Sequence, residues 1–197
     1  MTLMQRIGAL AQLTLREPRQ AARTLLAEDV PIPARTAGLL LVAVVSALLA
    51  SLQVGGKLTE LDPFSRFMLA SPFRAAVFQW LFLALTVVLV HRVGRAFDGR
   101  GSLPDALLVV VWLQLPMLAL QILQLVATLL VPPLAGIIGL AGFALFLWLM
   151  TSFVAELHGF RSRGMVFLGL VLTALGVGLI LGVATVLILG PEAFANV

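Results

Sequence analysis

The 197-residue chain has no cysteine and no tyrosine, and it contains only two histidines. The absence of cysteine excludes disulfides, thiol catalysis and cysteine-ligated metal sites. The sequence offers neither the serine and buried histidine of an intramembrane serine protease nor the paired glutamates and histidine of CAAX-type proteases. Little is left for acid–base chemistry, because both histidines lie near the ends of apolar runs. We therefore predict that the protein is not an enzyme, and we expect no cofactor.

Charged residues are also scarce, at 11% of the chain against 61% hydrophobic residues, whereas soluble domains have about 25% charged residues. The mean hydropathy is +1.10. Five runs of about 19 to 27 residues carry charge only at their ends, and each could cross a hydrocarbon layer of about 30 Å as a helix. The prediction is an all-α integral membrane protein, a five-helix bundle with spans at about 36–54, 74–92, 105–131, 134–156 and 164–189.

The rest of the chain is short. We divide it into an amphipathic N-terminal segment (1–33), the five-span membrane domain (34–190) and a short tail (191–197). The first apolar run follows about 35 residues that include Glu17, Glu28 and Asp29, and signal peptides are shorter, with a compact basic start. We therefore expect no cleaved signal peptide.

The thirteen basic residues are unevenly distributed between the runs. Ten lie before the first run, between the second and third, or between the fourth and fifth; three lie between the first and second. Basic residues near span ends are retained in the cytoplasm. The pattern predicts a cytoplasmic N-terminus and a periplasmic C-terminus.

Composition also indicates the source and the partners. Abundant arginine, alanine and leucine with a single lysine are typical of a GC-rich bacterial genome, so we expect a multi-pass protein of a bacterial inner membrane. The sequence pI of about 11.3 fits basic loops beside anionic lipid. We therefore expect the lipid bilayer as a partner and no nucleic acid.

Residues 3–28 resemble an amphipathic helix that is broken at Pro18. Such a segment can lie in the headgroup plane with its arginines towards anionic lipid. It can equally cap the cytosolic end of the bundle. The sequence leaves both alternatives open.

Small residues recur at helical spacing in two spans, and such stripes allow helices to approach closely in lipid. Packing within the bundle is the favoured interpretation, and contact with another copy or another membrane protein is the alternative. The candidate helix-packing residues are Ala43, Ala47, Ser51, Ala174, Gly178 and Gly182.

The third span has a polar stripe, because residues spaced by three, four or seven positions share one helix face. Its members are Gln114, Gln121, Gln124 and Thr128, with Pro116 as a predicted kink. The stripe could line a hydrophilic path through the bundle. Hydrogen bonding between helices, at about 1 kcal/mol per bond, is the favoured interpretation.

Charge is densest in the two predicted inner loops that follow spans two and four. If the loops meet, they form a candidate interaction face that comprises Arg95, Asp98, Arg100, Asp105, Glu156, His158, Arg161 and Arg163. Asp98, Asp105, Glu156 and His158 could ligate a divalent metal, but their spacing matches no known ligand motif. A salt-bridged network is favoured, and we expect no metal.

Two stretches of the sequence resemble the Ypt/Rab-interacting (Yip) membrane protein family. Residues 99–106 (GRGSLPDA), which run into a span that contains Pro116, resemble the family's signature stretch. Trp148, followed by residues 155–160 (AELHGF), resembles the exit of the family's fourth span. The N-terminal segment around Pro18 also fits the bacterial branch, so the resemblance covers residues 18 to 190.

The resemblance implies five spans and a cytosolic N-terminus. Eukaryotic members act in vesicle trafficking and bind prenylated Rab-type GTPases and one another. That role does not transfer here, because the eukaryotic Asp-Leu-Tyr-Gly-Pro-type motif is absent. We expect a membrane-organising or protein-interaction component that acts through its cytoplasmic face. The alternative is a small-solute channel or permease that is lined by the third-span stripe.

Overall fold

The computed structural model describes residues 2–55 and 58–189. Within those ranges the chain forms eight α-helices and one 3₁₀ turn, and it contains no strand. The helices are α1 (Leu3–Arg16), α2 (Pro18–Leu26), α3 (Ile32–Val54), α4 (Pro63–Leu69), α5 (Pro72–Ala96), α6 (Leu103–Leu130), α7 (Pro132–His158) and α8 (Arg163–Leu189). The 3₁₀ turn (Leu58–Glu60) precedes α4. The all-α prediction is confirmed.

Five of these helices are long and apolar enough to cross a membrane: α3, α5, α6, α7 and α8. They correspond to the five predicted spans and extend each of them at one end or both; for example, α3 begins at Ile32, α5 continues to Ala96 and α7 continues to His158. Pro116 lies inside α6, which is helical on both sides of it. The predicted tail at 191–197 lies outside the described residues. The five-span architecture is therefore confirmed.

Short sequence signals set the helix ends. Ser102 begins α6, and its hydroxyl accepts the backbone N–H of Asp105, as expected of an N-cap serine. At the other end of the same bundle, Asp62 caps α4. Hydrogen bonds from Ser65 hold the pKa of the Asp62 carboxyl below its usual value. α7 ends at His158 and is capped by Gly159, whose φ of 74° lies in the left-handed region that glycine adopts without strain.

The two ends of the bundle differ in charge. We call the end formed by residues 2–35, 92–106 and 156–163 the basic end. Ten of the thirteen basic residues belong to these segments. The opposite end comprises the 3₁₀ turn, α4 and the α6–α7 connection at Val131.

The tightest packing of the spanning helices lies in the half towards the basic end. α6 is the central helix, since it packs against α3, α5 and α7. Its Val109 and Leu113 are almost fully buried, as are Leu149 and Phe153 of α7. The other faces of these helices expose large apolar side chains, as expected where lipid replaces a protein neighbour.

The N-terminal segment packs on this bundle. Ala21, Ala22 and Leu25 of α2 are buried, and α2 packs against α7 and α6. Thr14 of α1 is also buried, and its hydroxyl accepts the indole N–H of Trp112 at 3.0 Å. Trp112 lies nine residues into α6, about 14 Å along the helix axis. Of the two alternatives, the structure shows a cap on the bundle, with α1 beside the first turns of a span.

We expect Thr14→Val to weaken this attachment, because the buried indole N–H of Trp112 would lose its acceptor at a cost of about 1–3 kcal/mol. Thr86→Val is the matched control. Both hydroxyls donate to the carbonyl four residues earlier, but only Thr14 also accepts a tertiary hydrogen bond. Hydrogen exchange in α1 should rise in Thr14→Val alone. Equal exchange in the two variants would contradict the role of this bond.

The two small-residue stripes have different surroundings. Ala43 and Ala47 of α3 are buried where α3 meets α5 and α6, and the hydroxyl of Ser51 donates to the Ala47 carbonyl. On α8, Ala174 is exposed, and a Cβ added at Gly178 or Gly182 would contact nothing within 4 Å. Among the described residues, no helix packs on the α8 stripe, since α8 contacts mainly α7.

Candidate functional site

The two charged connections of the basic end meet at the last residue of α7. The backbone N–H of Arg100 donates to the carbonyl oxygen of His158 at 3.2 Å. The backbone N–H of Gly101 donates to Nδ1 of the same histidine at 3.2 Å. The connection at 97–102 therefore lies against the end of α7, and the two loops meet as the interaction-face hypothesis requires.

His158 is a buried hub with defined hydrogen bonds, and only 2% of its surface is exposed. Because Nδ1 accepts from Gly101, the ring proton resides on Nε2. Nε2 donates to the carbonyl oxygen of Val90 at 3.1 Å. Both ring nitrogens are thus used, and the imidazole ties α5, α7 and the 97–102 connection together.

Three glycines make room for this imidazole, and we call them the glycine cage: Gly94, Gly99 and Gly101. A Cβ added to any one of them would come within 3.0 Å of the His158 ring, a distance that real Cβ atoms do not tolerate. The stacked ring of Phe160, with its centroid 5.5 Å away, covers another side of the imidazole. The cage therefore requires glycine for close approach at these positions.

Further hydrogen bonds fix the connection that carries the cage. The N–H of Gly99 donates to the carbonyl of Gly94 at 2.8 Å, and Arg95 donates to the carbonyl of Gly99 at 3.2 Å. His91 Nδ1 lies 3.2 Å from the carbonyl oxygen of Gly101, to which it can donate. Asp98 adopts a φ of 61°, a left-handed conformation that aspartate tolerates better than most residues.

Glu156 attaches α2 to the end of α7. Its carboxylate accepts from Nε of Arg23 at 2.6 Å and from Nη2 at 3.3 Å. This hydrogen bond and the accompanying charge attraction raise the pKa of Arg23. Arg19, one helix turn earlier, donates to the carbonyl oxygen of Phe160 at 2.6 Å. Arg19 and Arg23 of α2 therefore bond to α7 and its exit, as in the alternative in which this segment caps the bundle.

Asp105 has a similar partner from the N-terminal part of the chain. Nη1 of Arg35 donates to its carboxylate at 3.1 Å and to the carbonyl of Pro104 at 2.7 Å. Nε of Arg35 donates to the carbonyl of Val30 at 2.8 Å. Only 10% of the Arg35 side chain is exposed. This guanidinium therefore joins the linker before α3 to the start of α6.

The divalent-metal alternative finds no matching geometry in the described part of the chain, where no three acidic or histidine side chains form a ligand group. Glu156 and Asp105 are engaged by arginines, and both nitrogens of His158 are hydrogen-bonded. Asp98 is exposed. Two of the four residues, Glu156 and Asp105, therefore form salt bridges with arginines.

Unlike Arg19, Arg23 and Arg35, five arginines of the basic end have no partner among the described residues, and we call them the free arginines. All five are exposed, and none of their side chains bonds to a described residue. They are Arg16, Arg92, Arg100, Arg161 and Arg163. Three of them belong to the predicted interaction face, whereas Arg95 of that face is bonded to Gly99.

The polar stripe of α6 lies in the other half of the bundle. Nε2 of Gln121 donates to the Ser46 carbonyl on α3 at 3.0 Å, and Nε2 of Gln124 donates to the Ala135 carbonyl on α7 at 3.1 Å. Thr128 donates within its own helix to the Gln124 carbonyl. Gln121 and Gln124 therefore form hydrogen bonds between helices, which was the favoured interpretation of the stripe. The same two residues and Gln114 also line a cavity of about 500 Å³.

Sequence reasoning missed several residues of the basic end. Arg19 and Arg23 carried a usable signal, since their spacing of four places them on one helix face, but their acidic partner is more than 130 residues away. The glycine cage had a weaker signal, namely three glycines in the eight-residue stretch 94–101. No feature of the sequence around these glycines indicates that they contact His158.

Comparison with known proteins gives one result. A family model described as the Yip1 domain matches residues 13–185. A search of curated proteins and a search of solved structures each found no match. The matched region includes the five spanning helices almost completely, the glycine cage and His158. The chain therefore belongs to the Yip1 domain family of membrane proteins.

Proposed function

We propose that this protein is a non-enzymatic component of a bacterial inner membrane that organises the membrane or binds another protein through its basic end. In this proposal the basic end faces the cytoplasm. The observation that carries it is the set of free arginines around a connection that internal bonds hold in place. Guanidinium groups without an internal partner are available to phosphate and carboxylate groups.

The charge distribution supports this orientation and surface. The basic end has ten basic and six acidic residues, so it accounts for the whole net charge of +4. An anionic cytoplasmic leaflet attracts each nearby arginine by about 1 kcal/mol. Five free arginines therefore favour anionic lipid, or an acidic protein surface, at this end.

The internal bonds give the surface a defined shape. Arg19, Arg23 and Arg35 attach the N-terminal segment to α6 and α7, and the glycine cage fixes the 97–102 connection. A partner would therefore meet arginines whose backbone is already ordered, which lowers the entropy cost of binding. This arrangement suits recognition, and it does not assemble a nucleophile or a general base.

A passive path for a small solute has less support. The cavity beside the α6 stripe lies towards the opposite end. Between it and the basic end, the described side chains of Val109, Leu113, Leu149 and Phe153 are packed and almost fully buried. A solute would have to separate this core to cross the bundle.

Self-association is the second part of the proposal. The stripe of Ala174, Gly178 and Gly182 is not covered by another described helix, and small residues favour close helix–helix contact in lipid. We propose that α8 contacts another copy of the chain through this face.

Photocrosslinking in cells tests both parts. A photoreactive amino acid at Arg100 or Arg161 should capture cytoplasmic proteins or anionic lipid. The same residue at the exposed Thr59, at the opposite end, should not capture them. A third position at the exposed Leu175, beside the α8 stripe, should yield a crosslinked dimer of the chain. Mass spectrometry of the adducts is the measurement.

Three results would contradict the proposal. Capture of the same cytoplasmic partners from Thr59 would reverse the orientation. Absence of any specific adduct from both arginine positions would remove the basic end as the working surface. Only monomeric product from Leu175 would remove self-association through α8.

A further inference from the structure

The cavity in the half of the bundle towards the opposite end gathers every glutamine of the spanning helices, and we call it the glutamine cavity. Its volume is about 500 Å³, within the range of about 300–1,000 Å³ that is usual for small-molecule sites. Residues of five helices, α3 to α7, line it. The converging residues are Gln53, Gln79, Gln114, Gln121 and Gln124.

These amides are only partly satisfied by the protein. Gln121 and Gln124 each donate one bond to a backbone carbonyl of a neighbouring helix. The side-chain amides of Gln53, Gln79 and Gln114 bond to none of the described residues. Polar groups in a membrane bundle without a partner are costly. The unused donors and acceptors are therefore available to water or to a ligand in the cavity.

The cavity is shaped around these amides. A Cβ added at Gly139 of α7 would lie 2.9 Å from Nε2 of Gln124, so the glycine leaves room for that side chain. Met117 and Leu120 of α6 and Met68 of α4 add apolar surface. Amide groups and apolar side chains thus line one space.

The lining carries no charge among the described residues. Arg74, which precedes the lining residue Ala75 in α5, has its guanidinium carbon 4.1 Å from the ring centre of Phe67, and Phe67 does not line the cavity. The Asp62 carboxylate is occupied in capping α4. An ionic ligand would find no counter-charge, and its desolvation would be uncompensated.

We propose that the glutamine cavity binds an uncharged, hydroxyl-bearing ligand that has an apolar part. A hydroxyl both donates and accepts, as does a carboxamide, so each glutamine can bond to it in either sense. The apolar part lies against Met68, Met117 and Leu120. Such a ligand is supplied either by a neutral lipid of the membrane, with a glycerol or sugar head group, or by a small molecule from the aqueous side.

A photoreactive probe tests this inference on the full-length protein in lipid nanodiscs of phosphatidylethanolamine and phosphatidylglycerol. The probe is octyl glucoside with a diazirine in its alkyl chain, used below its critical micelle concentration. The matched probe is the octyl glucuronide, which differs by one carboxylate. We expect saturable capture of the glucoside on peptides of α3, α4 or α6, and at least fivefold less of the glucuronide.

Variants separate the cavity from nonspecific capture. The double substitution Gln114→Leu with Gln121→Leu should lower capture about tenfold, because two amide partners are lost. The pair Gln12→Leu with Gln20→Leu, at exposed positions of α1 and α2, should leave capture unchanged. Ala50→Leu should lower capture by filling the space while keeping all the amides, which covers the case in which the glutamine variant fails to fold.

Competition identifies the source of the ligand. Displacement by dioctanoylglycerol would assign it to membrane lipid, and displacement by glucose would assign it to the aqueous side; either supports the inference. Non-saturable capture, equal capture of the glucuronide, failure of both competitors or adducts outside the cavity would each overturn it. None of these outcomes depends on whether the basic end binds a partner.

Discussion

Gly94→Ala is expected to destabilise the protein by about 2–4 kcal/mol, although alanine is normally the better helix former. Gly94 lies inside α5, where the exchange alone would stabilise the helix by about 0.5–1 kcal/mol. Its new methyl group would overlap the His158 ring. That ring is held by bonds to Val90 and Gly101, so it can move only by giving them up. Overpacking and the lost bonds outweigh the helix gain.

The measurement is the unfolding midpoint in mixed micelles of dodecyl maltoside and SDS, followed by circular dichroism. Gly176→Ala is the matched control, since a Cβ there contacts nothing within 4 Å, and it should leave the midpoint unchanged or raise it. In a His158→Ala background, Gly94→Ala should cost little, because the clashing ring is gone. An equal cost in both backgrounds would show that the ring is not the cause.

Arg35→Met should lower the free energy of unfolding by about 2–3 kcal/mol. The substitution preserves a long side chain but leaves the carbonyls of Val30 and Pro104 and the carboxylate of Asp105 without their shared donor. When one partner of a largely buried, charge-assisted network is removed, the remaining groups stay buried without their hydrogen bonds. The loss of stability is therefore larger than the net contribution of the intact network. Hydrogen exchange should rise first at residues 27–34, which lose their attachment to α6.

Arg66→Met provides the comparison for Arg35. Arg66 also donates to three carbonyls, those of Leu58, Thr59 and Leu61, but it is exposed. Water can replace its bonds, so the expected loss is below about 1 kcal/mol. Equal losses at the two arginines would show that burial of Arg35 contributes nothing.

The agreement between sequence and structure is closest where a property belongs to one segment. The five spans were located within a few residues. The α8 stripe has no described helix packed against it. A stripe of small residues is visible in a sequence, but the sequence does not say which helix, if any, lies against it.

The candidate sites show the same division. The residues of the interaction face were chosen for their charge, and the structure divides them into bonded and free groups that charge alone does not distinguish. Glu156 and Asp105 are internal partners, His158 is buried, and Arg100, Arg161 and Arg163 remain free. The three glutamines of α6 were recognised, but Gln53 of α3 and Gln79 of α5 were not, because each is isolated within its own span.

The sequence by itself determined the membrane class, the number of spans, the concentration of basic residues at one end and the resemblance to the family. These properties follow from hydropathy and charge, which add up along one stretch of chain and need no neighbour. Only the tertiary structure decided that three glycines enclose His158, that Arg23 and Arg35 bond to Glu156 and Asp105, and that five glutamines line one cavity. Such contacts depend on the rotation and depth of each helix relative to the others, and packing between helices sets both.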